Sequence, residues 1–582
     1  MKAICTLALG MALCSTAAVA QEAATSTGVG GAVHRHSITS ITICTTAASV
    51  PQGSCPPGSA DTFRRVVAPD GITTINDYAN LSTLSDEHAT VFPPGTLPGH
   101  ANDYLFFVAT KTTLQQLASG LTVLTGGAGP DVHGQWTFDF ASDFGLYQPA
   151  NPPGSTNGQV FLAAMAHDAC PTVSDARFQD PTFDLNYADP GTVFIDPTRW
   201  GLAGPGNLLM IYEGTNTCVG LPGGHSSSNF YSTIGVATSF DYGHTWPTYR
   251  RNWVALPNLN PSMGPEAHLG ALGAFVCFGN DCNEMPPFNY GRYAALSPPV
   301  TVSVAMAGSA SIPGGLQVNM GNSEPAAFVD DVNFGLDRYL YVVAGYLPGP
   351  VGLGSPYSDP QLPNGGVTDF VVSRARLNGG IAPLDFTSWY AGTFNETRIV
   401  PPGVTCVSWV LCRTMSNQGL GALGGGLQTP ILPFLNDTNA YTSCQDANNQ
   451  SRVMGSISYV EDTQQYLLLF VCTSHVDPVT KTPGDGAAWF YSTLDGAGEG
   501  LADQSKWSTP QMIQGSWNVF PDAMSAGCAR DNKGWYPTIM SLGKKPGHLG
   551  TTGFVFYMEG CTDSLTTGGR KYSSRQFTIN TN

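Results

Sequence analysis

Charge is what this chain has least of: 12% of its 582 residues are Asp, Glu, Lys or Arg, with 25 basic residues against 42 acidic ones. A formal charge of −17 at pH 7 argues against nucleic acid and anionic membrane as partners, since both reward clustered Lys and Arg. It suits a neutral or cationic ligand. Poverty in Lys and Glu also leaves little material for exposed helix faces. Several short motifs are missing as well: no GxGxxG or P-loop in a strand-to-helix context, no CxxCH, no HExxH, no paired CxxC knuckles and no GxSxG elbow. These absences remove the usual signs of dinucleotide, phosphate, haem and zinc chemistry. Gly424-Gly425-Gly426 lacks the Lys and Ser or Thr of a phosphate loop and reads as a flexible loop. A Ser-His-Asp arrangement needs no short motif, so it stays open. Beyond the first twenty residues, no apolar run approaches the roughly 18 residues of a membrane helix.

What the chain does have is turns and apolar material. It holds 68 Gly and 43 Pro with 42% hydrophobic residues, a composition that suits short strands, frequent turns and a sizeable core. Five times a strand-like segment opens and a strongly apolar one follows. The openers are Asp86 to Phe92, Asp189 to Asp196, Glu324 to Asp330, Gly455 to Asp462 and Tyr536 to Ser541. Their followers are Asp103 to Ala109, Asn207 to Glu213, Arg338 to Ala344, Gln465 to Val471 and Gly553 to Glu559. Third strands are expected at Gly120 to Leu124, Ile234 to Ser239, Asp369 to Arg374, Ala488 to Ser492 and Arg575 to Asn580. The first four lead to Trp136, Trp246, Trp389 and Trp507.

A weak repeat of this kind predicts an all-β fold, a five-bladed β-propeller with four antiparallel strands per blade, because each small sheet buries its faces only against its neighbours. The early strand Ser37 to Cys44 is expected to complete the last blade and remove an exposed edge. A β-sandwich with long loops is the alternative architecture. Two stretches, near 257–321 and 401–449, are too long for hairpin connections and are expected to decorate one rim.

Residues 1–20 read as a secretory signal, with Lys2, an apolar stretch from Ala3 to Cys14, and Ala18-Val19-Ala20 at the cleavage point. This predicts a secreted or periplasmic protein whose residues 21–582 form a single domain. With the signal removed, Cys5 and Cys14 go, and the 14 cysteines become twelve, an even number for an oxidising compartment. Short spacings suggest Cys44 with Cys55, Cys277 with Cys282 and Cys406 with Cys412. The remainder is open, with Cys170 and Cys218, Cys444 and Cys472, and Cys528 and Cys561 as one solution.

Ser239-Phe240-Asp241-Tyr242-Gly243-His244-Thr245-Trp246 matches S-x-D-x-G-x-T-W and resembles the Asp-box of sialidases and other carbohydrate-active propellers. Its physics is that of a turn: Asp241 bonds backbone groups, Gly243 takes a positive φ, and Trp246 packs between strands. Asp241 therefore receives no catalytic role.

In a propeller the inner strand of each blade lines the central channel, so carboxylates at the same end of successive inner strands converge. Asp86, Asp189 and Glu324 hold that position, and their blade order Asp, Asp, Glu resembles the five-bladed glycosidases of the arabinanase, β-xylosidase and invertase type. That resemblance implies Asp86 as general base or nucleophile, Asp189 as the carboxylate that orients substrate and raises the acid's pKa, and Glu324 as general acid. An oxocarbenium-like transition state needs these groups, a proton for the leaving oxygen and a carboxylate on the other face. Asp86 is followed by Glu87 where such families have proline, which makes Glu87 the alternative working residue. Glu213, Arg452 and Tyr536 are further candidates for contact with substrate. Each carboxylate also has a plain reading as a turn starter or solvated strand entry.

The resemblance implies a glycan substrate and no required cofactor. It is compatible with a structural calcium ion in the channel, for which no ligand set is apparent. A monomer is expected. Two other functions stay open: a sialidase-type enzyme, which needs an arginine cluster drawn from Arg64, Arg374 and Arg452 plus a tyrosine nucleophile such as Tyr536, and a non-catalytic carbohydrate-binding propeller.

Overall fold

The computed structural model describes residues 36–43, 69, 87–112, 118–132, 134–144, 187–195, 208–216, 230–239, 241–244, 319–330, 339–348, 369–376, 386–390, 393–394, 431, 454–472, 488–496, 501, 506–513, 534–559 and 571–582, with short strands at 64–65, 83–84, 159–161 and 293–296. The chain divides into two compact units, Met1–Arg35 and His36–Asn582. The expected signal segment lies in the first, outside the described residues. Among the described residues the extended elements are all β-strands, and no helix is long and apolar enough to cross a membrane.

The strands form four hydrogen-bonded sheets in a propeller-like arrangement. In the first, Thr90–Phe92 pairs with Leu105–Thr112, which pairs with Ala118–Thr125. The second has nine strands and consists of two antiparallel runs. One run is Tyr187–Ile195, Leu208–Asn216, Phe230–Ser239 and Tyr293–Leu296. The other is Asn319–Val329, Tyr339–Pro348, Asp369–Arg376, Phe386–Tyr390 and Thr393–Phe394. A parallel contact of three residue pairs, Phe230 to Ser232 against Asn319 to Gly321, joins them. The third sheet runs through Gly455–Val460, Gln465–Cys472, Ala488–Asp495 and Gln511–Met512.

The last sheet joins the two ends of the unit. Trp535–Met540 pairs with Thr552–Glu559, which pairs with Lys571–Thr581, and Ile38–Ile43 adds antiparallel to that strand. Ile41 then stands opposite Ile579 and Ile43 opposite Phe577, with all four buried. The early strand thus covers the edge that the final strand would otherwise expose.

The second strands are apolar because they are covered on both faces. Leu467, Leu469 and Val471 point into one cluster, while Tyr466, Leu468 and Phe470 point into another. Alternating residues therefore seal opposite faces of the same sheet. The largest cluster is aromatic where the first and last sheets meet: Trp136 packs edge-on to Phe106, Phe554 and Phe556 with ring centroids 5.3–5.5 Å apart. Burying each such ring contributes roughly 1.5–3 kcal/mol. Of the tryptophans expected at the turn to the outer strand, Trp136 and Trp507 are buried and Trp389 is half-buried; Trp246 lies outside the described residues.

Two expectations shift. The second and third repeats share one sheet rather than forming separate ones, because the three parallel pairs bridge them. The stretch near 257–321 is more than decoration: it supplies Tyr293–Leu296 as the fourth strand of its run and the start of Asn319–Val329. The cysteines of the expected pairs lie outside the described residues, apart from Cys472 at the end of its strand.

Candidate active site

Threonines fix how neighbouring inner strands stand against one another. Thr90 Oγ1 accepts the backbone N–H of Val193 at 2.9 Å, and Thr192 Oγ1 accepts that of Ala327 at 2.9 Å. Glu87 stands three residues before Thr90, and Asp189 three before Thr192. Glu87 and Asp189 thus share the same sequence offset from these threonines. Asp86 lies outside the described residues.

The next contributions come from irregular backbone. Glu324-Pro325 and Tyr536-Pro537 each sit in a register shift of their strand, between Ser323 and Ala326 and between Trp535 and Thr538. Glu324 and Tyr536 have φ of 54° and 53°, a left-handed region that side-chain-bearing residues seldom occupy. Bulges of this kind re-aim side chains, and backbone strain of this kind collects at functional sites. Here the two re-aimed groups meet: Tyr536 Oη donates to Glu324 Oε1 at 3.1 Å.

Glu213 completes the cluster. It lies directly opposite Asp189 across the antiparallel ladder, where two like charges oppose the pairing. Its Oε2 accepts the backbone N–H of Glu324 at 2.8 Å, so it ties Leu208–Asn216, the neighbour of the second inner strand, to the third inner strand. Glu87 and Asp189 have no exposed surface, and Glu213 is 7% exposed. Glu324 is half-buried and is the most accessible carboxyl of the four.

Crowding decides protonation. Burial pushes the Glu87 carboxyl well above the usual carboxylate range, and the charges of Glu213, Asp189 and Glu324 push it further, as does its hydrogen-bonding proximity to Glu213. The site therefore favours the protonated form of Glu87. Burial, followed by the charges of Glu324, Glu87 and Glu213, raises the Tyr536 phenol well above its ordinary value, so it remains a hydroxyl donor. His88, next in sequence to Glu87, is 2% exposed and lies edge-on to the Tyr536 ring at 5.6 Å. Burial lowers its pKa to about 3 despite the backbone carbonyls of Tyr536 and Pro537 beside it. It is a neutral imidazole.

Below this cluster lies a cavity of about 60 Å³ lined by all five inner strands, including His88, Thr192, Ala326, Ser456 and Thr538. The Lys544 to His548 loop closes its other side. Lys544 is paired there with Glu461, whose other oxygen meets His548 Nδ1 at 3.1 Å.

The structure thus brings together Asp189, Glu324, Glu87, Glu213 and Tyr536 from the expected set; Arg452, like Asp86, lies outside the described residues. Arg374, a candidate for a sialidase-type cluster, is instead buried against the rings of Tyr339 and Phe394, 4.1 and 3.9 Å from their centroids. His88 was not expected; its signal was its place beside Glu87 at the head of an inner strand. The Ser239 to His244 turn behaves as a structural device: Ser239 Oγ donates to Asp241 Oδ1 at 2.8 Å and accepts the Gly243 N–H at 2.7 Å, with Gly243 at φ 95°. Among the described residues no group of three or more His, Cys, Asp or Glu is arranged to hold a metal ion, so no ligands are named for calcium.

No protein-family profile matches the chain, and no curated protein sequence does. Among solved structures the chain is similar to a glycosyl hydrolase from Bacteroides ovatus, at 10% identity over 85% of each chain with a TM-score of 0.32. It is similar also to an endo-1,5-α-L-arabinanase from Thermotoga petrophila, at 10% identity over 85% of this chain and 71% of that one, TM-score 0.32. A levansucrase mutant from B. megaterium shares 9% identity over 90% and 91%, TM-score 0.35. At such identities and scores, function has to be read from the site itself.

Proposed function

We propose that this protein is a secreted glycoside hydrolase on a five-bladed propeller, in which the paired runs of the nine-stranded sheet count as two blades. One observation carries the reading: four carboxyls and a tyrosine from four inner-blade regions meet at one point, crowded enough to favour the protonated form of Glu87. Glycosidic cleavage needs that combination, one carboxyl protonated and another ionised across the sugar.

In this reading Glu324 is the general acid. It is the most accessible carboxyl, and the Tyr536 hydroxyl occupies Oε1, which leaves Oε2 to carry the proton toward the leaving oxygen. Glu87 takes the role of opposite carboxylate first expected of Asp86; its burial and its crowding by Glu213, Asp189 and Glu324 support this reading. In the resting site it stores the shared proton, which passes to Glu324 as substrate binds, freeing Glu87 to act as base or nucleophile. Asp189 and Glu213 supply the negative field that keeps the acid protonated. A neutral glycan is the favoured substrate.

The Tyr536–Glu324 hydrogen bond gives the sialidase-type reading its one supporting observation, since such an enzyme pairs a tyrosine nucleophile with a glutamate. Two facts weigh against it. The phenol is pushed away from ionisation, and four carboxyls repel an anionic sugar.

The test is a product assay of the mature protein and its Glu324→Gln variant on furanosidic, pyranosidic and sialylated oligosaccharides. Sugar released by the parent and lost in the variant supports the proposal. Retained glycan binding by both proteins with no release from any substrate would identify a carbohydrate-binding propeller instead.

A further inference from the structure

Polar groups lining the cavity beneath the carboxyls can be accounted for one by one. Thr90 and Thr192 accept backbone N–H groups of the next inner strand. Ser456 Oγ donates to the Pro537 carbonyl at 2.9 Å, and Ser541 Oγ donates to the Thr552 carbonyl at 2.6 Å while accepting the Gly550 N–H at 3.0 Å. Two of the lining residues, His88 and Thr538, carry buried polar atoms that these bonds leave without a partner. Among the described residues Thr538 Oγ1 is buried with no hydrogen-bond partner, and neither ring nitrogen of His88 reaches one at full hydrogen-bond geometry, although the backbone carbonyls of Tyr536 and Pro537 lie beside the ring. Both residues line the same cavity.

Buried polar groups left without partners are costly, and native structures supply partners from water or ions when the protein does not. The cavity, about 60 Å³, exceeds several-fold the roughly 10–15 Å³ that one water needs. The chemistry of the two groups selects the occupant. A neutral imidazole offers one donor and one acceptor, and a hydroxyl offers both. Water matches that demand. An anion would leave the imidazole acceptor unmet, and a cation would find no carboxylate among the cavity's own lining residues.

We propose that the cavity holds an ordered water cluster anchored on His88 and Thr538, and that this cluster makes His88 a positioning residue for the Tyr536–Glu324 pair. The water fixes the imidazole plane, the imidazole edge fixes the Tyr536 ring, and that ring aims its hydroxyl at Glu324. The second half of the inference rests on the glycosidase reading, whereas the first half does not.

Crystals of the mature protein, grown with and without calcium, test the occupant directly. Two or more waters bridging His88 and Thr538 under both conditions are expected; a dry cavity, or a metal ion bound to His88, would overturn the assignment. For the positioning role, Thr538→Val and His88→Phe keep shape while removing the polar atoms, and each should lower kcat about tenfold with KM unchanged. His88→Gln, which keeps a donor and an acceptor, should recover most of that loss. Unchanged kcat in folded Thr538→Val and His88→Phe, or no recovery in His88→Gln, would refute the positioning role. Bridging waters in a protein that releases no sugar would sink the glycosidase reading and leave the cavity assignment standing, and turnover with a dry cavity would do the reverse.

Discussion

Glu87 precedes His88 and Glu461 pairs with Lys544 and His548, three residues that line one cavity, yet the proton affinities of the two glutamates move in opposite directions. Glu87 is fully buried among Glu213, Asp189 and Glu324, and its pKa is raised by burial first and by those charges second. Glu461 is half-exposed, and the hydrogen bond from Lys544 and the nearby charges of Lys544 and His548 hold its pKa below the usual value. A paired carboxylate ties the closing loop to its neighbour. Crowded carboxyls resist folding together, and such opposition persists where a site uses it. The difference separates a structural ion pair from a crowded set of carboxyls suited to chemistry.

The sharpest way to break this contrast is to neutralise Glu87. Glu87→Gln should lower turnover by about 10²–10⁴-fold, yet it should raise thermal stability near neutral pH. A glutamate whose folded pKa is raised contributes stability below its unfolded pKa and loses it as pH rises through the folded value. The amide has no such loss. Melting curves at pH 4 and pH 8 should show the variant's advantage at pH 8 alone, and a variant less stable than the parent at both would remove the crowding argument.

Next in size is Gly191→Ala. A Cβ there would lie 2.6 Å from the Pro325 carbonyl and 3.0 Å from that of Ile211, so backbone must shift between Asp189 and Glu324. Overpacking of this kind costs about 1–3 kcal/mol. Denaturant unfolding should register it together with lost turnover, and full activity in the variant would show that the spacing of those carboxyls is not critical.

His88 gives the opposite pH limb. Its folded pKa of about 3 lies below the ordinary histidine value, so its contribution is present above the unfolded pKa and is lost as pH falls through the folded one. His88→Gln should flatten the decline in stability between about pH 6.5 and pH 3, the span between the usual histidine value and its own. An unchanged acid limb in equilibrium unfolding would place that decline elsewhere.

The smallest effect is expected at the ion pair. Lys544→Met should leave kcat and KM alone and change stability by at most about 1 kcal/mol, as for partly exposed ion pairs. Since Glu461 is depressed, that change should be present at pH 7 and vanish as pH falls through its folded pKa. A large loss of turnover would mean that the closing loop belongs to the site.

Much of the fold could be read in the sequence because it is written in apolar runs. Tyr466 to Val471 and Tyr339 to Ala344 are sealed on both faces, so they stay hydrophobic throughout, and the structure places strands over them. The pairing of Ile38–Ile43 with the last strand was likewise foreseeable from an edge that needed cover. The three-residue parallel bridge from Phe230 to Ser232 was not, since so short a contact leaves no pattern. At the site, Asp189 and Glu324 stand out as acids followed by proline at strand entries. Spacing alone leaves Asp86 and Glu87 as alternatives, because adjacent residues of an extended segment face opposite ways. The meeting of Tyr536 with Glu324 depends on two bulges, which Tyr536-Pro537 and Glu324-Pro325 only hint at. His88 resembles any polar residue near a strand entry until its burial is seen.

The most direct test of the central claim compares Glu324→Gln and Glu87→Gln across glycosides of the substrate sugar bearing alkyl and aryl leaving groups. With Glu324 as acid, its variant should fail on alkyl glycosides and recover on aryl ones, whose leaving oxygens need no proton, while Glu87→Gln fails on both. Equal loss on both series in Glu324→Gln, or full activity in Glu87→Gln, would contradict the account.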